Sequence, residues 1–304
     1  MVRQVTAGVD GSTESLAAAH WAAREALRRG ASLRLVHAWT WHPRPSSSVP
    51  AEASEGDWAE RTLDQAVMSV RAAHPGVRIV DRLVSGSAVA TLLAAAEESE
   101  LLVLGSRGLG GIAGFLVGSV SQRAVARSPR PVVLVRAGET AADEHLPAPD
   151  GVSPEEIPGL PYRDVVLGLD IRRPCDELIE FAFEAARRSG AALHVIHAFT
   201  FSVPSADGAD LRAVTDAGPE LLAAQERAVL ATLRPWCEKY PEVSVTATVS
   251  EGRAATALVR ASSGASLVVV GRRVRNGHLG THIGPVTHAA LHHVGCPVAV
   301  VPHD

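Results

Sequence analysis

The stretch that decides the fold is VTAGVDGSTESLAAAHWAAREALRRGASLRLVHAWTW, residues 5–41. Further along the chain it returns as VVLGLDIRRPCDELIEFAFEAARRSGAALHVIHAFTF, residues 165–201. The two stretches align without a gap, so that Asp10 matches Asp170 and His37 matches His197. In each, an apolar run leads into a segment with apolar residues at helical spacing and then into a second apolar run. Self-similarity of this kind predicts a chain built from two copies of one unit.

The remainder of the chain supports the same division. HPGVRIVDRLVSGSAVATLL from His74 parallels YPEVSVTATVSEGRAATALV from Tyr240, and RPVVLVR from Arg130 parallels CPVAVVP from Cys296. Between the copies, AGETAADEHLPAPDGVSPEEIPGLP is rich in Pro, Ala, Gly and acidic residues and has no apolar periodicity, which is typical of a linker. We therefore expect domains at 1–137 and 162–304, joined by a linker at 138–161.

Strand and helix patterns alternate within each copy. In the first copy the predicted strands are Val5–Val9, Leu33–Trp39, Val77–Val84, Leu101–Gly105 and Pro131–Val135. The predicted helices are Thr13–Arg29, Asp57–Ala73, Val89–Glu98 and Ser119–Ser128. The strands are runs of Val and Leu, as expected when helices cover both faces of a sheet. The fold class predicted is therefore α/β, with a doubly wound parallel sheet in each copy.

Composition narrows the classes of function. The chain has 304 residues, a net charge of −4 and no basic stripe, which argues against nucleic-acid binding. No apolar run approaches the ~20 residues of a membrane helix, and no secretory signal precedes the first strand, so we expect a cytoplasmic protein. Lys239 is the only lysine, which excludes a GxxxxGK phosphate loop. Three scattered cysteines argue against a disulfide framework.

Two loops carry the candidate chemistry. GVDGS, residues 8–12, ends the first strand, and GSRGLGGIAGFLVGS, residues 105–119, follows the fourth. Glycines let a backbone come close to a ligand, and a helix starting at Ser119 would present free N–H groups to an anion. Ser119 and Ser121 hydroxyls are further donors, and Asp10 is suited to a ribose hydroxyl or a phosphate-bound metal. A plain connection with Ser119 as N-cap is the alternative.

At this point the chain resembles a known family. The spacing Gly105-x2-Gly108-x9-Gly118-Ser119, with VDGS at the first strand and a closing PVVLV strand, is similar to that of the universal stress protein family. The resemblance is to tandem, two-domain members of its ATP-binding branch. It implies two Rossmann-like, five-stranded sheets of strand order 3-2-1-4-5. That order puts the topological switch point between the first and fourth strands.

The resemblance also implies a nucleotide site in the first copy, for ATP with or without Mg²⁺. Asp10 matches the acid at the end of the first strand, Gly8 a close approach to the base, and Ala38 a position whose backbone bonds to adenine. Arg107 is either a ligand-facing donor or a solvated side chain. The residues implied for this site are Gly8, Asp10, Ala38, Gly105, Ser106, Arg107, Gly108, Gly110, Gly111, Gly118, Ser119, Val120 and Ser121.

The second copy departs from this pattern. Val274 stands where the motif has its second glycine, and Pro285 replaces the serine, so an N–H and a hydroxyl are lost. The sequence therefore predicts a weak or empty second site. Three nearby arginines, at 272, 273 and 275, either compensate by charge or form a solvated face. The residues that remain for a weak second site are Gly168, Asp170, Gly271 and Gly284.

Other polar patterns were weighed and set aside. His288 and His292 stand four apart on a predicted helix, as do His278 and His282 nearby. Such pairs can bind zinc, but neither belongs to an HExxH motif and no acid lies near, so no metal site is expected. The matched histidines at 37 and 197 are expected to be buried and hydrogen-bonded. GxSxG, SGGxDS and HxGH strings are missing, and no catalytic residue is predicted.

Three hypotheses for function remain open from the residues. The first is an ATP-binding regulatory protein that responds to stress and acts on an unknown protein partner. The second is a slow ATPase or another nucleotide-dependent enzyme of a related α/β fold. The third is an interaction module that has lost its nucleotide. The closing strands Pro131–Val135 and Pro297–Val301 are expected to pair within the chain as a pseudo-dimer, and a homodimer of two chains stays open.

Overall fold

In the computed structural model, the described residues are 3–40, 55–106, 117–146, 156–200, 211–274 and 283–304. The first repeat contains β1 Gln4–Gly8, α1 Thr13–Arg29, β2 Ser32–Trp39, α2 Glu55–Ala73, β3 Ile79–Ser85, α3 Ala88–Glu97, β4 Leu101–Ser106, α4 Ser119–Arg127 and β5 Val132–Arg136. The second contains β6 Val165–Gly168, α5 Asp176–Ser189, β7 Leu193–Phe199, α6 Leu211–Lys239, β8 Val245–Glu251, α7 Ala254–Ala261, β9 Leu267–Arg273, α8 Pro285–His293 and β10 Val298–His303. The alternation predicted from the sequence is confirmed in both repeats.

The strands form one continuous sheet of ten, in the order β3-β2-β1-β4-β5-β10-β9-β6-β7-β8. Each half has the expected order 3-2-1-4-5, and all pairs within a half are parallel. The halves join where β5 and β10 run antiparallel, with Val133 opposite Ala299. The predicted pairing of the two closing strands is therefore confirmed, and the two five-stranded sheets merge into a single one.

Helices cover both faces of this sheet. One buried cluster holds side chains from α1, α2, α5 and α6, and the other holds side chains from α3, α4, α7 and α8. Successive residues of β4 alternate between the clusters, with Leu101 and Val103 in the first and Leu102 and Leu104 in the second. Because both faces are covered, the strands are apolar throughout rather than alternating.

Each repeat uses a glycine to end its first helix. Gly30 follows α1 with φ 60° and Gly190 follows α5 with φ 67°, both in the left-handed region. The Gly30 amide donates to carbonyls of the last helical turn, at Ala26 and Leu27. Glycine adopts this conformation without the steric penalty of a Cβ atom. The matched glycines therefore set the point where the chain turns back into β2 or β7.

Two arginines tie the repeats together through helix C-termini. Arg272 of β9 donates from Nη2 to the carbonyl of Ser128, 2.5 Å away, and Ser128 is the C-cap of α4. Arg136 of β5 donates to the carbonyl of Val294, the C-cap of α8. A cation at a helix C-terminus complements both the unpaired carbonyls and the helix dipole. Each repeat thus caps a helix of the other.

The interdomain segment is docked, not free. Its short 3-10 helix Ala142–Glu144 carries a carboxylate that is 2% exposed and pairs with Arg24 and Arg28 of α1. Arg28 also donates to the hydroxyl of Tyr162, and His145 forms an isolated bridge with Tyr162. The sequence predicted a linker here but not its ion pairs with α1. The linker was assigned from the lack of apolar periodicity, and a pattern of apolar residues gives no information about buried ion pairs.

Candidate functional site

The switch point lies between β1 and β4, which are adjacent and parallel at the centre of the first half-sheet. Val5 pairs with Leu101 and Ala7 with Val103. From β1 the chain passes through α1 to β2 on one side, and from β4 it passes through α4 to β5 on the other. The connections diverge at the carboxyl ends of these strands, which leaves the crevice where ligands bind in doubly wound sheets.

The loop after β1 is ordered by its own acid. Asp10 is exposed, and its Oδ1 accepts from the Ser12 amide at 3.0 Å and the Ser12 hydroxyl at 2.6 Å. Ser12 is the N-cap of α1 and accepts from the Ser15 amide at 3.1 Å. Gly11 between them has φ 82°, which a β-carbon would strain. The sequence DGS therefore builds a fixed turn that holds a carboxylate at the crevice.

Gly105 stands where two helix N-termini converge. A β-carbon on it would lie 2.6 Å from the carbonyl carbon of Glu14 and 2.8 Å from the amide nitrogen of Ser15, both in the first turn of α1. The hydroxyl of Ser121, in the first turn of α4, donates to the Gly105 carbonyl at 2.9 Å. Only glycine permits this packing. It brings the positive ends of two helix dipoles to one point beside the crevice.

The start of α4 is open. Its N-cap, Gly118, offers no side-chain cap, and a β-carbon there would meet no atom of the described residues within 4 Å. Ser119 and Val120 are exposed, whereas Ser121 is buried and uses its hydroxyl proton on Gly105. The first N–H groups of any α-helix have no acceptor within the helix. This helix end therefore presents backbone donors and the Ser119 hydroxyl to the crevice.

The other predicted residues fall on the strands or outside the described residues. Ser106 is buried and donates to the Val135 carbonyl at 3.3 Å, which joins β4 to β5. Ala38 is half-buried near the end of β2, and a β-carbon on Gly8 would meet Leu92 and Leu104 side-chain atoms at 2.8 Å. Four positions of the glycine loop lie outside the described residues: Arg107, Gly108, Gly110 and Gly111.

The matching loop of the second repeat is built differently. Asp170 is exposed and accepts from the Arg172 amide at 3.0 Å, but no hydroxyl reaches its carboxylate as Ser12 does in the first repeat. Cys175 is the N-cap of α5 and donates its thiol proton to Glu177. Burial, with this bond to Glu177, raises the pKa of Cys175 to about 11. The thiol is therefore protonated and inert at neutral pH.

A histidine covers the matching glycine of the second repeat. A β-carbon on Gly271 would lie 2.6 Å from Nε2 of His303, at the end of β10. Thr287 donates to the Gly271 carbonyl at 2.8 Å, as Ser121 does to Gly105, but α8 begins with Pro285 after an N-cap, Gly284, that gives no side-chain cap. Gly168 keeps looser neighbours, at 3.5 Å and beyond. The second crevice thus has fewer donors and an imidazole against its central glycine.

The arginines of the second repeat do not form one cationic group. Arg272 is 5% exposed and donates to a carbonyl of the first repeat, so it fits neither alternative left open for these arginines, a compensating charge or a solvated face. Arg273 is half-buried and lines an open cleft of about 360 Å³ between the repeats, together with Arg127 and His303. Arg275 lies outside the described residues.

The matched histidines of β2 and β7, His37 and His197, are buried and hydrogen-bonded, as expected. Nδ1 of His37 is 2.7 Å from the Val9 carbonyl, and Nδ1 of His197 is 3.0 Å from the Leu169 carbonyl. Sequence reasoning assigned no site role to His37 or His303. For His37, the only sequence feature that could have indicated a role is its recurrence as His197 in the second repeat. For His303, the sequence offers no such feature.

Metal and membrane features are limited within the described ranges. Those ranges hold no group of three or more His, Cys, Asp or Glu side chains placed to bind a metal ion. The rings of His288 and His292 lie 4.2 Å apart, and burial together with His292 and His293 lowers the pKa of His288. His278 and His282 lie outside the described residues. No described helix is long and apolar enough to cross a membrane.

Comparison with known proteins identifies the family. The model of the universal stress protein family matches residues 1–136 and 161–302. A universal stress protein of Mycobacterium tuberculosis (strain ATCC 25618 / H37Rv) is 34% identical over 312 residues, which cover 97% of this chain and 96% of the relative. A solved universal stress protein from Archaeoglobus fulgidus DSM 4304 shares the fold, with a TM-score of 0.65 at 17% identity over 99% of this chain and 98% of its own. Another, solved in complex with cAMP, is 30% identical, covers 45% of this chain and 98% of its own, and has a TM-score of 0.35. This chain belongs to the universal stress protein family.

Proposed function

We propose that the first repeat binds ATP and that the protein responds to stress through this nucleotide rather than by catalysis. The observation that carries the proposal is the convergence of the α1 and α4 N-termini at Gly105, beside the exposed carboxylate of Asp10. Backbone N–H groups and helix dipoles at such a point favour phosphate. The crevice between β1 and β4 supplies the space where a nucleotide binds in this class of sheet.

Each part of the nucleotide has a candidate partner. The phosphates accept from backbone amides at the start of α4 and from the Ser119 hydroxyl. The ribose bonds to Asp10, and the backbone at Ala38 reads the adenine edge. Gly118 leaves the approach to α4 open, since no atom of the described residues lies within 4 Å of the position its β-carbon would take. The family resemblance suggests these roles, and we assign them only to residues that the structure describes.

Asp10 also suits a magnesium ion carried by the phosphates. Mg²⁺ in nucleotide sites is commonly held by one or two carboxylates, phosphate oxygens and water. Asp10 is exposed, and its bonds from Ser12 fix the carboxylate at the end of β1. When bound, the ion would neutralise phosphate charge.

We assign nucleotide binding to the first repeat and a weak or empty site to the second. His303 lies against Gly271, and Pro285 removes an N–H from the first turn of α8. Losing a donor to a charged group costs about 1.5–3 kcal/mol, so two losses weaken binding by a hundredfold or more.

Within this proposal the two domains are residues 1–137 and 162–304, joined by a linker at 138–161, and the protein acts in the cytoplasm.

The test begins with the protein as purified. Denaturing it and identifying any released nucleotide by mass establishes what it carries. Calorimetry with ATP then compares wild type with Asp10→Ala and Ser119→Ala, and with Asp170→Ala as the matched control in the second repeat. We expect weaker binding for the first two and none of that loss for the control. Unchanged affinity in both first-repeat variants would refute the assignment.

A turnover assay separates binding from the alternative of a slow ATPase. An enzyme that positions ATP without a general base accelerates its hydrolysis only slightly. Asp10 is an acid of the proposed site, and the two described hydrogen bonds to its Oδ1 come from Ser12 and give it a structural role in its own loop. We expect no turnover approaching ~1 s⁻¹, with or without Mg²⁺. Turnover at that rate, abolished by Ser119→Ala, would make the protein an enzyme.

A further inference from the structure

His37 has a buried nitrogen that no described residue bonds to. The side chain is 3% exposed and Nδ1 lies 2.7 Å from the carbonyl of Val9. A carbonyl can only accept, so Nδ1 carries the proton, and in the neutral ring Nε2 is an acceptor. Nε2 is buried and has no hydrogen-bond partner among the residues that the structure describes. A buried acceptor left in this state costs about 1–3 kcal/mol.

The second repeat satisfies the same nitrogen internally. Nδ1 of His197 lies 3.0 Å from the Leu169 carbonyl, as in the first repeat, and Nε2 lies 3.1 Å from Oε1 of Gln225 in α6. Because Nδ1 donates, Nε2 needs a donor, and we assign the NH₂ group of Gln225 to this position by exchanging the carboxamide O and N, which are distinguished only by such networks. The repeat with the degenerate motif therefore fills a role that the other repeat leaves open.

Alignment shows how the difference arises. Helices α2 and α6 run into the matched residues His74 and Tyr240, and counting back without a gap sets Ala59 against Gln225. Ala59 is fully buried and has no polar side-chain atom. The first repeat has thus an apolar residue where the second has the partner of its histidine, while the histidine itself is kept.

His37 lies next to residues of the candidate site. Val9, which orients the ring, directly precedes Asp10, and the next residue after His37 is Ala38. The ring of Trp58 meets His37 edge-on, with centroids 6.0 Å apart. The start of α2 therefore packs over the histidine at the end of the sheet where β1 gives way to its loop.

We propose that Nε2 of His37 accepts a hydrogen bond from the nucleoside part of the bound nucleotide, and that Gln225 takes this place in the second repeat. The inference rests on the nucleotide-binding function proposed above. A phosphate oxygen cannot be the partner, because it too is an acceptor. The donor is a hydroxyl of the sugar or the amino group of the base. His37 therefore selects nucleosides, whereas the start of α4 selects phosphate.

The first test compares ATP with inorganic tripolyphosphate by calorimetry on wild type, His37→Asn and His197→Asn. The asparagine side chain can still donate to the carbonyl that the histidine Nδ1 bonds, at Val9 or Leu169, but it has no counterpart of Nε2. We expect His37→Asn to weaken ATP binding about five- to tenfold, the size of one hydrogen bond. Tripolyphosphate binding should be unchanged, and His197→Asn should alter neither ligand. Equal loss for both ligands would indicate a damaged fold and overturn the selective role.

A second measurement follows the ring nitrogen itself. In ¹⁵N NMR, the Nε2 resonance of His37 should move when ATP is added to wild type and stay in place with tripolyphosphate. Ala59→Gln, which installs the partner of the second repeat, should weaken ATP binding and hold that resonance fixed. If ATP binds but the resonance does not move, a buried water satisfies the nitrogen and the inference fails while nucleotide binding stands. If wild type binds no ATP, both fail.

Nucleotide analogues identify the donor. 2′-Deoxy-ATP and 3′-deoxy-ATP each lack one sugar hydroxyl, and inosine triphosphate lacks the amino group of the base. The analogue without the bonded group should bind wild type and His37→Asn equally, since the interaction is already absent. An undiminished difference between the two proteins with all three analogues would contradict a single donor and overturn the inference.

Discussion

Replacing Glu144 with glutamine should loosen the contact that fixes the interdomain segment to the first repeat. The carboxylate accepts from Arg24 at 2.7 and 3.0 Å and from Arg28 at 2.9 Å. Burial alone would lower the pKa of Arg28, but Glu25 and Glu144 outweigh it and raise that pKa above its ordinary value. Breaking a buried pair by removing one partner typically costs about 3–5 kcal/mol.

The expected loss is smaller than that range. Arg28 keeps a bond to Glu25 at 2.9 Å, and the two arginine side chains retain 13% and 14% exposure, so water relieves part of the uncompensated charge. We expect Glu144→Gln to lower the unfolding free energy by about 2–4 kcal/mol, or roughly 4–8 °C in Tm at about 2 °C per kcal/mol.

Differential scanning calorimetry checks this, with Glu97→Gln as a control at an exposed position of α3. The control should change Tm by no more than about 1 °C, the scale of an ordinary surface substitution. If Glu144→Gln shifts Tm no more than the control does, the ion pairs contribute no stability and the segment is not held by them.

Three further outcomes are expected. Calorimetric titration with ATP should saturate at about one nucleotide per chain, whereas two equally tight sites would show that Pro285 and His303 do not block the second. Gly105→Ala should cost about 1–3 kcal/mol in thermal unfolding because its β-carbon meets the α1 backbone. Gly118→Ala, with open space, should leave stability within about 0.5 kcal/mol and weaken ATP binding. Burial, then His20 and Arg24, lower the pKa of His74 to about 4, so the folded state binds fewer protons than the unfolded chain. Stability should therefore fall by about 1–2 kcal/mol, discounted for exposure, as pH drops from about 6.5 towards 4, and His74→Asn should flatten that dependence.

The sequence predicted those features that depend on local pattern. Runs of Val and Leu located the strands, and apolar residues at helical spacing located the helices between them. Contacts between charged groups and partners far along the chain were not predictable. Glu144 lies in an acidic, proline-rich stretch and reads as solvated, and its burial depends on two arginines of α1. In the sequence, Arg272 is one of three nearby arginines that suggest a cationic loop. In the structure it lies in β9, and its side chain donates to the Ser128 carbonyl of the other repeat. Charge patterns along a chain do not indicate which charges are buried.

The structure also gives a physical reason for a second repeat whose own site is degenerate. A five-stranded half-sheet ends at β5, and an exposed apolar edge strand is prone to pair with other chains. Here β10 covers that edge in antiparallel register, with Val300 opposite Val132. The second repeat also supplies Arg272, which caps α4, the helix whose start forms the proposed phosphate site. Both contributions come from β9 and β10 and require neither Gly108 nor Ser119 to be matched in the second repeat. Departure from the glycine and serine motif there is therefore compatible with full retention of the fold, because the second repeat completes the sheet and holds the C-terminal end of α4 in place.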